Sequence, residues 1–201
     1  MPKHEPPRFP LPCVIFAGGK SSRMGRDKAL LPFGGQPTLA AYQFSRLSPL
    51  FSATFLSAKS ADKFTEGMPV IVDDPAFESF APTAGFIAVF RRLGHGRFFA
   101  LSVDTPFVDA RVISALLEAD REDLDAVIAR TARGMHPLCG IYHASLLSRF
   151  ETMAASGEHA LGKMLKSANV TYVDFNDEEP FTNLNRPEEY ATAFAKTDTA
   201  H

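Results

Sequence analysis

The sequence has no tryptophan and only two cysteines, Cys13 and Cys139. Two thiols are too few for a disulfide framework, which excludes a small stapled extracellular scaffold and fits a reducing compartment. Both lie in apolar, strand-like runs and read as buried small hydrophobes. No apolar run approaches the roughly 18 residues a membrane span requires. The proline-rich opening MPKHEPPRFPLP has no apolar core of the kind a signal peptide needs, so the expected location is cytoplasmic. An excess of either charge is also missing: 21 Lys and Arg stand against 23 Asp and Glu, a net charge of −2. That balance removes any general basis for binding nucleic acid or a membrane. A cationic site must therefore be local, which suits a pocket for one nucleotide. The absence of tryptophan contrasts with 18 phenylalanines, a bias from which no function follows.

What is present is an ordinary globular composition, 45% apolar and 22% charged over 201 residues. That length predicts one domain with an ample core. The expected division is an irregular lead-in over 1–11 and a single folded unit over 12–196. Short apolar runs predict strands at 13–17, 53–58, 69–72, 97–103, 125–129 and 170–175. The segment 136–143 is strand-like but opens on His136-Pro137, so an edge or antiparallel strand is expected. Helical spacing covers 83–93, 110–119, 145–155, 159–167 and 187–195, and Pro37 suits the first turn of a helix ending near Ser48. Asp109 is placed to cap the helix at 110. Strands alternating with helices predict a doubly wound, Rossmann-like, three-layer α/β/α sandwich with a mostly parallel sheet.

The most informative stretch is Cys13–Pro32, CVIFAGGKSSRMGRDKALLP. A strand-length apolar run stops at Gly18-Gly19 and enters a loop carrying Lys20, Arg23, Arg26 and Lys28. Glycine permits close approach of backbone to a ligand, and successive N–H groups in such a loop make a cradle for anions. The expected ligand is a polyphosphate. It is not a Walker loop, because Gly19 and Gly25 are separated by five residues and Arg26 follows. The GxGxxG dinucleotide fingerprint is also missing. Two further polar segments, Asp73-Asp74 and Asp104-Thr105-Pro106, end apolar strands. Ligands bind outside the carboxyl ends of strands in sheets of this kind, so the three segments are expected to meet. Asp104, leaving an all-apolar strand, suits a divalent cation shared with phosphate oxygens. Its plainer alternative is a turn or cap aspartate.

The loop Gly18–Leu31 resembles the signature of the nucleotidyltransferases with a GT-A-like fold, and within them it is most similar to the molybdenum cofactor guanylyltransferases. Pro82-Thr83-Ala84-Gly85, His136–Tyr142 and Phe181–Glu189, with its Asn183-Leu184-Asn185, extend the likeness over nearly the whole chain. The resemblance implies that Arg23 and Lys28 hold phosphates and that Asp104 binds Mg²⁺ bridging the triphosphate. It places Phe16, Ala17, Gly18 and Gly19 against the nucleotide, mainly through their backbone. Phe16 stands where the family has leucine, and Ser57 where many members have asparagine. Asp73, or its neighbour Asp74, would accept two N–H bonds from guanine that adenine cannot supply. His136, Asn183 and Asn185 fall on the acceptor side, where Asn185 could equally cap the following helix.

The implied activity is transfer of GMP from GTP to the phosphate of molybdenum-bound molybdopterin, releasing pyrophosphate. Partners would be GTP, molybdopterin and the proteins that load or receive the cofactor. A related enzyme using CTP or acting on a sugar or polyol phosphate is the alternative within the scaffold. A non-catalytic GTP-binding module is the alternative outside it.

Overall fold

Cys13-Val14-Ile15-Phe16 is apolar at every position, the pattern of a strand covered on both faces, and all four side chains are buried. They complete strand β1, Phe9–Phe16, in a seven-stranded sheet. The computed structural model describes residues 8–18, 27–74, 82–94 and 96–198. The other strands are β2 Phe51–Ala58, β3 Val70–Val72, β4 Arg97–Ser102, β5 Ala126–Thr131, β6 Gly134–His143 and β7 Val170–Asp174. The helices are α1 Leu39–Leu47, α2 Pro82–Leu93, α3 Ala110–Glu118, α4 Leu147–Ser156, α5 Leu161–Lys166 and α6 Pro187–Asp198.

In space the order is β3-β2-β1-β4-β6-β5-β7. Neighbours run parallel except at β6, which is antiparallel to both β4 and β5. Successive strand residues point to opposite faces. Cys13, Ile15, Phe99 and Leu101 therefore pack with α1, α3 and α6, while Val14, Phe16, Phe98 and Ala100 pack with α2, α4 and α5. This is the expected three-layer, mostly parallel α/β sandwich. The phenylalanine bias resolves into core: Phe86 stacks on Phe16 and on Phe150, each with ring centroids 4.5 Å apart. Cys13 and Cys139 are free and buried, and burial pushes the Cys139 thiol up to about 12 and raises that of Cys13 as well. No helix among the described residues is long and apolar enough to cross a membrane.

Three boundaries differ from expectation. Strand β1 begins at Phe9, so residues 9–11 belong to the sheet and not to an irregular lead-in. Phe9 and Leu11 are buried, and Phe9 N–H donates to the Leu50 carbonyl at 2.8 Å. Pro10 and Pro12 are tolerated because this overhang pairs only with β2; pairing with β4 starts at Cys13. Helix α1 is capped by Thr38, whose Oγ1 accepts from Ala41 N–H at 3.0 Å, so Pro37 lies just outside it. Strand β6 is antiparallel as Pro137 suggested, but it is interior. Pro137 fits there because pairing with β4 ends at Cys139 and the register with β5 is irregular between Ile128 and Arg130. The Tyr142 hydroxyl donates to the Pro137 carbonyl and pins this irregular stretch.

The consequence for function is geometric. The carboxyl ends of β1 to β4 open at one edge of the sheet, and the reversed β6 brings its amino end, with His136-Pro137, to the same edge.

Candidate functional site

Lys28 enters the site on a single 3-10 turn, Lys28–Leu30. Asp27 caps that turn, its Oδ1 accepting from Ala29 N–H at 3.1 Å, and its other oxygen pairs with Lys63. The Lys28 ammonium then donates to Asn185 Oδ1 at 2.8 Å and lies 3.3 Å from Asp104 Oδ2. These side chains are largely covered, with 15% of Lys28 and 20% of Asp104 exposed. Three residues separated by up to 157 positions thus meet at one point. Ser102 completes the group by donating to Asp104 Oδ1 at 2.6 Å, which orients the carboxylate.

The closing Asn-Leu-Asn segment is held here by backbone. Leu184 N–H donates to the Asp104 carbonyl at 2.9 Å, so 183–185 runs beside the end of β4. Asn185 does not cap α6. That task falls to Glu189, whose Oε2 accepts from Arg186 N–H at 2.9 Å and from Asn185 N–H at 2.7 Å. A glutamate at the third helical position reaching back to the N-cap amide is half of a capping box. It releases the Asn185 amide for Lys28.

On the β1 side of Asp104 is a recess lined by Phe16, Gly18, Ser57, Asp73 and Gly85, with Lys59 at its margin. A methyl group added at Gly18 would meet Ala58 Cα at 3.7 Å and Asp73 Oδ2 at 3.8 Å, ordinary contact distances, so protein packing does not demand glycine there. At Gly85 the same methyl would stand 2.7 Å from Ser57 Oγ and 3.3 Å from Asp73 Oδ1. Glycine at the opening of α2 is therefore what lets Ser57 and Asp73 share the recess. Burial raises the Asp73 carboxyl above its ordinary value, opposed by Lys59, the Ser57 hydroxyl and Lys63. Asp74 turns away and pairs with Arg91 of α2 at 2.8 Å. The backbone of Phe16 and Ala17 is partly committed to the sheet: Val103 N–H donates to the Phe16 carbonyl at 3.0 Å and Ala17 N–H to the Ser57 carbonyl at 2.8 Å. Gly19 and Arg23 lie outside the described residues.

On the β6 side is a larger pocket of about 480 Å³ that brings together Asp104, His136, Asn183 and Asn185. His136 stacks on Phe181, ring centroids 4.5 Å apart, and its Nε2 shares a 3.0 Å hydrogen bond with Thr131 Oγ1. Burial lowers its pKa, against Glu178 and with Arg133, so the ring favours the neutral form. His159, before α5, also lines this pocket and its Nδ1 shares a 3.2 Å hydrogen bond with Thr83 Oγ1 of α2. Sequence reasoning missed Ser102, Phe181 and His159. Only Phe181 carried a signal, as the residue opening the Asn-rich segment.

Among the described residues no three His, Cys, Asp or Glu side chains converge into a closed metal site. What stands at Asp104 is a pair of hard oxygens, Asp104 Oδ2 and Asn185 Oδ1, both already turned to the Lys28 cation. That pair fits Mg²⁺, which takes one or two protein oxygens and completes its shell with water and phosphate.

Fold and edge together define an α/β domain of the class that binds its ligands outside the carboxyl ends of its parallel strands. Comparison with known proteins narrows that class. Residues 13–172 match the family model of the MobA-like NTP transferase domain, and the chain belongs to this family. The molybdenum cofactor guanylyltransferase of Campylobacter jejuni is 36% identical over 180 residues, covering 90% of this chain and 93% of that one. The enzyme of the same name from Helicobacter pylori is 31% identical over 188 residues, covering 91% and 88%. Among solved structures, molybdopterin-guanine dinucleotide biosynthesis protein A from Archaeoglobus fulgidus superposes with a TM-score of 0.80, covering 94% of this chain and 100% of that one. At 20% identity, that likeness speaks for the fold alone.

Proposed function

We propose that this chain is a guanylyltransferase that transfers GMP from GTP to the terminal phosphate of molybdenum-bound molybdopterin. The observation that carries the reading is the meeting of Lys28, Asp104 and Asn185 between two recesses, within a family of NTP transferases. An acceptor phosphate oxygen attacks the α-phosphorus of GTP, the bond from that phosphorus to the bridging oxygen breaks, and pyrophosphate leaves. No protein nucleophile is needed. The chain supplies position and charge. Lys28 and Arg23 hold phosphate oxygens; Asp73 accepts from the guanine N1 and N2 hydrogens; Gly18 and Gly85 line the recess beside it. His136, Asn183 and Asn185 face the acceptor. Asp104, with Asn185 beside it, would hold Mg²⁺, which supplies charge neutralisation of the triphosphate and of departing pyrophosphate. A reducing, cytoplasmic setting agrees with two free buried thiols.

The test is calorimetric titration of GTP, CTP and ATP, each with Mg²⁺, into the protein and into Asp104→Ala, followed by transfer assays with molybdopterin. Metal-dependent binding of GTP alone, weakened in the variant, is expected. Preference for CTP would move the assignment to cytidylyl transfer, and no nucleotide binding even with molybdopterin present would overturn it.

A further inference from the structure

Helix α1 carries one polar side chain on its apolar stripe. Leu39, Ala40, Gln43 and Leu47 are its buried residues, and Gln43 is fully buried. Its Nε2 reaches across to the turn that follows β4, lying 3.1 Å from the Thr105 carbonyl, 3.2 Å from that of Val103 and 3.4 Å from that of Ser102. Its Oε1 accepts from Arg46 Nε at 2.7 Å, and Arg46 Nη1 donates to the Val108 carbonyl at 2.6 Å. The amide cannot flip without placing an oxygen against three carbonyls and a nitrogen against a guanidinium. One residue therefore ties both flanks of Asp104, and a second locks the first. A buried, fully paired polar group of this kind is costly to disturb. An apolar residue would suit the stripe better if packing were its only task.

We infer that Gln43, held by Arg46, is a positioning residue for the reaction: it sets the Ser102–Thr105 turn so that the Asp104 carboxylate faces the triphosphate and its cation. The inference rests on the proposed metal-dependent GTP binding and extends it to residues remote from any ligand. Ser102 fixes the rotation of the carboxylate, while Gln43 fixes where its backbone stands. Arg46 acts at one further remove, and burial lowers its guanidinium pKa.

The test measures the ratio of GTP dissociation constants in EDTA and in Mg²⁺, by calorimetry, for the wild type, Gln43→Met, Arg46→Lys and Leu47→Ala. Gln43→Met keeps the side-chain length and removes the donors. It is expected to cut the Mg²⁺ enhancement at least fivefold while changing affinity in EDTA less than twofold. Arg46→Lys, the milder change, should cut it in the same direction by a smaller factor and carries the test if Gln43→Met does not fold. Leu47→Ala, on the same helix stripe, should lower the melting temperature and leave the ratio unchanged. A wild-type ratio retained by Gln43→Met, or by Arg46→Lys if that variant must stand alone, sinks the inference, as does equal loss in Leu47→Ala. A wild type with no Mg²⁺ enhancement would instead remove the proposed function, and the inference with it.

Discussion

Lys28 bridges two groups that lie on different elements, the Asp104 carboxylate and the Asn185 amide oxygen. In the reaction proposed here its ammonium must also follow charge onto the phosphates. Lys28→Met is expected to lower kcat by about 10²–10³, the scale of losing one preorganised charge donor, with steady-state kinetics as the check. Asp73 poses the opposite case. Burial raises its folded pKa above its ordinary 3.8. A carboxyl raised in this way binds its proton more tightly folded than unfolded, so stability falls as pH rises above the unfolded value. Asp73→Asn should therefore melt higher than the wild type at pH 7, with the advantage shrinking toward pH 4 and vanishing below it. The same variant should bind GTP more weakly. A residue that strains the fold at neutral pH yet sits in the recess is better explained by a ligand than by packing.

At the scale of elements, α2 and α6 each present an N-terminus to the site, and each was half visible in the sequence. Pro82–Gly85 announced the start of α2, but nothing in the sequence said that Gly85 lies against Ser57 and Asp73, because that contact joins three separate elements. Gly85→Ala is expected to lower stability by about 1–3 kcal/mol, since the added methyl would stand 2.7 Å from Ser57 Oγ and 3.1 Å from the buried, stacked Phe16 ring. It should weaken GTP binding about tenfold or more by filling the recess; calorimetry and melting curves together check it. For α6, either Asn185 or another residue could have been the cap, and the Glu189 carboxylate took the role. Glu189→Ala, which removes the acceptor of the Asn185 and Arg186 N–H groups, should cost about 0.5–2 kcal/mol of stability. It should also raise KM for the acceptor more than for GTP, because Asn185 loses the bond that holds its backbone.

For the molecule as a whole, alternation of apolar runs was enough to read the layered architecture and to place three polar segments at one edge. Those segments are local and their strands are short continuous apolar runs, recognisable by their length and by the turn residues that flank them. The position of β6 was not legible, because Pro137 reveals only that normal pairing is broken nearby; which strands flank it is decided by long-range packing. Gln43 was not legible, because the three carbonyls that give its amide a role lie some 60 residues away in the chain. Phe16 was read through its backbone, whereas its ring proves to be part of the stack with Phe86. Phe86→Ala should cost about 3–5 kcal/mol by opening that stack, measurable by denaturant unfolding.

The reversed strand has one more consequence. By bringing its amino end beside the carboxyl ends of the others, β6 puts the seats proposed for donor and acceptor on a single rim, with Asp104 between them. Two separate guests can then arrive and depart independently. The molecule they become is one guest with two anchors, and each anchor keeps the other close at an effective concentration in the millimolar range for short connections. The joined compound should consequently have a longer residence time than either precursor. Its departure, not bond formation, would set the pace of turnover, and added dinucleotide should be the enzyme's strongest inhibitor.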